Sequence, residues 1–207
     1  MIVLFKKVIL NYIEKNRKVI IGIVFCLAVG IAIGIAGYLF MDDTVKLTLN
    51  SSVRGALNLL NSDGYQKVNV IVNGVKSNLL FVFVLVLASI TIIGIPVIYI
   101  MYIVKGIAIG IYICTIFSIF NFWNAILCIL MLVIVVNIVY LPPIIYVGTN
   151  LLRFNNKLVE SMREGKLVQR AVLEAIKLVG GFSIIFSSII LEDIFTKIVV
   201  KIYQNLS

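Results

Sequence analysis

The sequence predicts an all-α integral membrane protein of about five transmembrane helices, with its N-terminus cytoplasmic and its C-terminus extracytoplasmic. Three observations lead there. The 207 residues are 62% hydrophobic and 13% charged, whereas ordinary soluble domains are about 45–50% apolar and about 25% charged. The mean hydropathy is +1.15, and a 23.0 kDa globule has too much surface relative to its core to hide that much apolar material. The apolar residues also fall into runs of membrane-crossing length, with basic residues concentrated in two of the segments between them.

Residues 1–18 set an apolar stripe (Ile2, Phe5, Ile9, Tyr12, Ile13) against Lys6, Lys7, Lys15, Arg17 and Lys18, the pattern of a basic interfacial helix. Residues 19–41 carry no charge. At ~1.5 Å per residue they reach ~34 Å, enough for a ~30 Å hydrocarbon core with some tilt. A signal peptide also begins with a basic segment and an apolar run. This run exceeds the usual ~7–15 residues, and no A-x-A site precedes Asp42 and Asp43, so the pattern predicts an uncleaved first span.

Residues 42–76 make a small extracytoplasmic loop. Leu47, Val53, Leu57 and Leu60 predict a modest helix, and 66–75, with Asn73-Gly74 at its turn, a short strand or hairpin. The stretch from Leu79 to Phe120 is interrupted only by Lys105 and holds two spans. Proline disfavours helix in the residue before it and glycine weakens helix further, so a break at Gly94-Ile95-Pro96 divides the stretch into spans 77–95 and 96–120. A break at Lys105 is the alternative, but it leaves a remnant too short for a normal span.

Asn121-Phe122-Trp123-Asn124 predicts an interfacial turn with an aromatic anchor. The fourth span covers 122–152 and kinks or ends at Pro142-Pro143. Residues 153–177 form an amphipathic loop with six basic residues, and 178–203 hold the fifth span and a tail. Five basic residues precede the first span and six lie in 153–177, against four in the longer 42–76 segment. Five spans put the first two groups on one side, which the positive-inside rule makes the cytoplasm. The net charge of +9 is thereby read as membrane orientation, not as a nucleic-acid footprint.

Lys105 is the most expensive residue in the apolar regions, at about 2.5–3.5 kcal/mol if central. Either its stem snorkels to the cytoplasmic interface or its ammonium meets an intramembrane acid, for which Glu192 is the candidate. Glu192 itself either marks an interface, next to Asp193, or faces the bundle interior. Asn137 in the fourth span suits an interhelical hydrogen bond. Gly-Ile-Ala-Ile-Gly occurs at Gly30 to Gly34 and again at Gly106 to Gly110, each a GxxxG pair that lets helices approach closely, within the chain or between copies in a homo-oligomer.

Cys26, Cys114 and Cys128 show no CxxC spacing, and there is no histidine. His-dependent triads and His-ligated zinc are excluded, and neither GxSxG nor a P-loop is present. These residues predict no enzyme, no cofactor and no metal.

With those residues placed, the chain resembles the stage II sporulation protein M family. The resemblance rests on Ile95-Pro96, a following span with Lys105-Gly106 and Gly110, the Leu141-Pro142-Pro143 kink, and Glu192 with Thr196 four residues on; Lys197 stands where the family pattern has proline. It implies a multi-pass protein of the septal or engulfing membrane, embedded in lipid. That protein would be a scaffold localising two peptidoglycan-cleaving partners, stage II sporulation proteins D and P, for septal thinning and engulfment. The residues alone also admit a transporter or permease subunit with a polar path through Lys105, Asn137 and Glu192.

Overall fold

A computed structural model describes residues 2–61, 76, 80–91, 93–130 and 136–156. The described part is helical: α1 (Ile2–Leu39), α2 (Asp43–Asn61), α3 (Leu80–Ile90), α4 (Gly94–Ile119), α5 (Phe122–Cys128) and α6 (Val136–Asn156). No strand occurs among the described residues. The hairpin expected at 66–75, the loop beyond Asn156, the fifth span at 178–203 and Glu192 all lie outside them.

The interfacial helix expected over 1–18 and the span expected over 19–41 form one helix of 38 residues. The reason is local. The charged residues of the first part are good helix formers, and neither proline nor glycine occurs before Gly22, so nothing stops the helix at Lys18. The helix stops at Leu39, and α2 starts at once. The Asp42 carbonyl accepts from the backbone of Val45 and Lys46, and Asp43 favours the positive end of α2. Lys46 reaches back to donate to the Leu39 carbonyl at 3.4 Å and lies 5.9 Å from the Tyr38 ring centroid, tying the start of α2 to the end of α1.

α4 begins at Gly94, two residues ahead of the expected boundary, with Pro96 in its first turn. A missing N–H is harmless there because the first amides of a helix have no intrahelical acceptor. Lys105 lies in the helix interior. The interfacial turn at 121–124 is tighter than expected: Phe120 and Asn121 make the corner, and Phe122 already belongs to α5. α6 passes through Pro142 and Pro143 without ending and continues to Asn156.

α1 and α4 run parallel, since Gly22 meets Tyr99, Gly30 meets Gly106 and Gly34 meets Ile107. α6 runs antiparallel to α4, with Asn155 beside Gly94 and Gly148 beside Tyr102. The main core gathers Ile23 and Leu27 of α1, Val82 and Leu85 of α3, Ile98 and Tyr102 of α4, and Val147 and Leu151 of α6. A smaller one joins the end of α4 to α5 through Ile116, Ala125 and Cys128. Large apolar side chains such as Phe25, Ile33, Phe83 and Leu87 point outward. Leu10–Leu39 and Gly94–Ile119 are each long and apolar enough to cross a membrane.

Candidate functional site

The contacts between α1 and α4 are reciprocal. A Cβ on Gly30 would run into the Ile103 carbonyl, and one on Gly106 into the Leu27 carbonyl; Gly34 faces the Ile107 carbonyl and Gly110 that of Ile31. Each glycine thus meets the carbonyl three residues before its counterpart, so the two Gly-Ile-Ala-Ile-Gly copies are related by a local two-fold axis along the helices. Lipid gives helices no hydrophobic reason to associate, and bare glycine faces supply the alternative: close backbone contact with Cα–H···O approaches. Both GxxxG pairs are used within one chain.

One turn below Gly106 lies Tyr102, fully buried at 0% exposure. Its hydroxyl donates to the Ile144 carbonyl of α6 at 2.7 Å, and its ring meets Phe81 of α3 edge-on at 5.9 Å. Gly148 makes this possible, because a Cβ there would collide with the Tyr102 hydroxyl. Tyr102 therefore joins three helices. Lys105 is half-buried, with its ammonium 5.6 Å from the Phe81 ring centroid. It stands roughly 16 Å along α4 from Gly94. Phe81 offers it a cation–π partner.

Around α6 the polar contacts continue. Asn155, buried, donates from Nδ2 to the carbonyls of Ser89 and Thr91 at 2.8 and 2.5 Å, covering the open end of α3. Gly94 packs into the same corner against the Ala88 carbonyl. Tyr12 donates to Asn150 Oδ1 at 3.1 Å and stacks at a tilt on Tyr146, while Asn16 bonds the Tyr12 carbonyl. Arg153 donates to the Lys15 carbonyl at 3.4 Å. Residues 147–152 are buried all the way round the helix.

The structure thus places Gly30, Gly34, Gly106 and Gly110 together, Lys105 beside Phe81, and Gly94 and Pro96 at the α3–α4 corner. Pro142 and Pro143 lie inside α6, upstream of the Ile144 acceptor. Asn137 is in the first turn of α6, its side chain outside the described ones, so the polar path through Lys105, Asn137 and Glu192 is not assembled from described residues. Tyr102, Gly148 and Asn155 escaped the sequence reading. Their only signal was composition, a glycine and three polar residues (Gly148, Thr149, Asn150, Asn155) at the end of an apolar run. Among the described residues no three His, Cys, Asp or Glu side chains gather to hold a metal.

Long apolar helices, outward-facing apolar side chains and a core of glycine seams and helix-to-helix hydrogen bonds define a helical membrane protein. The family model for stage II sporulation protein M matches residues 19–196. The chain belongs to that family, and is a sporulation-related membrane protein. Comparison with curated proteins and with solved structures returns no match.

Proposed function

We propose that the chain is a non-catalytic, multi-pass scaffold of the septal membrane. It would recruit peptidoglycan hydrolases of the stage II sporulation protein D and P kind and localise them for septal thinning and engulfment. The observation that carries this reading is family membership over residues 19–196. The described polar groups suit a scaffold, because Tyr102, Asn155 and Tyr12 are engaged in joining helices. The parallel course of α1 and α4 supports a multi-pass topology: the chain leaves α1 at one end and must return to the other before α4 begins. α3, which closes onto Gly94, is the last part of that return. With five spans the basic N-terminal segment and residues 153–177 share the cytoplasmic side, and the C-terminus lies outside.

A tagged full-length copy in an endospore-forming cell tests the proposal. The expected result is concentration at the septum and co-purification of a wall hydrolase. Uniform membrane distribution with no hydrolase recovered overturns it, and proteoliposome flux abolished by Glu192→Gln would put a permease in its place.

A further inference from the structure

We propose that the junction of α1 and α6 at Lys15 and Arg153 binds the phosphate headgroup of an anionic phospholipid. Arg153, in the last turn of α6, reaches across to the Lys15 carbonyl, so its guanidinium joins the basic face of α1. Lys15 and Lys18, three residues apart on one face, are exposed there, and Arg17 is exposed on another side of the same turn. The only acid on α1 is Glu14, also exposed, which leaves a positive excess at this junction among the described residues. One backbone hydrogen bond uses one of the five guanidinium donors and leaves the others to take an oxyanion.

A second observation lies one helical turn away. Asn150 is buried, its Oδ1 occupied by Tyr12, and its Nδ2 has no acceptor among the described residues; the hydroxyl of Thr149, the preceding residue, also lacks a partner there. Buried polar groups are rarely left unmatched. A phosphodiester carries acceptors alone, as the Arg153 and Asn150 donors require. The position favours a lipid over a free ion. Lys15 to Lys18 lie where the uncharged run of α1 begins, at the depth of headgroup phosphates, and a basic pocket between helices at that depth is how anionic headgroups are held.

The test uses the full-length protein in detergent, titrated with phosphatidylglycerol or phosphatidylcholine and followed by native mass spectrometry and thermal unfolding. Wild type should retain phosphatidylglycerol preferentially and be stabilised by it. Charge near the surface contributes ~1 kcal/mol per basic residue, so the Lys15→Gln/Arg153→Gln pair should bind phosphatidylglycerol about 30-fold more weakly. Arg153→Lys should keep most of the preference, and Lys46→Gln, near the other end of α1, all of it. The readout is the difference between the two lipids, so a lower baseline stability in the double variant does not obscure it. Equal effects of both lipids, an undiminished preference in the double variant, or the same stabilisation by inorganic phosphate alone would each overturn the proposal.

Discussion

Gly30 and Gly106 face each other so closely that a methyl group on the first would lie 3.0 Å from the Cα of the second, and one on the second 2.9 Å from the Cα of the first. The obstacles are backbone atoms, which cannot rotate away as a side-chain tip can. Gly30→Ala and Gly106→Ala should therefore each lower stability by about 1–3 kcal/mol. Gly37 supplies the control, since nothing lies within 4 Å of its missing Cβ. Gly37→Ala should be neutral, or stabilising by up to about 1 kcal/mol through better helix propensity. Unfolding midpoints in a single micelle system check all three.

Tyr102 and Gly148 should behave as a pair. Tyr102→Phe removes the hydrogen bond to the Ile144 carbonyl, at about 0.5–1.5 kcal/mol. Gly148→Ala pushes a methyl group into the hydroxyl and the ring edge, at about 1–3 kcal/mol. The worst collision is with the hydroxyl, so the double variant should be less damaged than the sum of the singles, and a double-mutant cycle measures the difference.

Lys105 and Phe81 form the second pair to separate. Lys105→Met and Phe81→Leu each break the cation–π contact, and their coupling should be about 0.5–2 kcal/mol. Phe81→Trp should preserve it. A coupling indistinguishable from zero would show that Lys105 draws nothing from the Phe81 ring.

Asn155 holds the corner between α3 and α4. Asn155→Ala removes the donor to two carbonyls and leaves them uncovered, which should destabilise by about 1–3 kcal/mol. Asn155→Asp replaces that donor with an acceptor and should be at least as damaging. Hydrogen exchange should report faster opening around Thr91 to Gly94 in both variants.

What the sequence disclosed follows from which forces act locally. Apolar length, the Gly94-Pro96 interruption and the repeated glycine pairs are one-dimensional signals, and the corresponding helices lie close to where they were expected. The merging of 1–18 with 19–41 was hidden because amphipathic and fully apolar helix differ in pattern but not in backbone, so a change of pattern at Lys18 need not be a break. Pro142-Pro143, expected to kink or end the fourth span, does not end it. Proline removes donors and crowds the preceding turn, yet neighbouring helices sustain the path, and the Tyr102 hydroxyl engages the carbonyl just beyond it. Which glycines would meet which carbonyls, and that Gly148 would admit a tyrosine from a helix 46 positions earlier, depend on three-dimensional register that no local spacing encodes.

The parallel pairing of α1 with α4 also sets a clock on synthesis. Gly106 is polymerised 76 residues after Gly30. At about 5–20 residues per second that is a delay of roughly 4–15 s. Throughout this interval a nascent α1 presents a glycine face whose natural complement is an identical Gly-Ile-Ala-Ile-Gly running the same way. The α1 of a neighbouring nascent chain carries the same five residues, so translation speed and the crowding of ribosomes on one membrane patch govern whether the first partner that face meets is its own chain or a sibling.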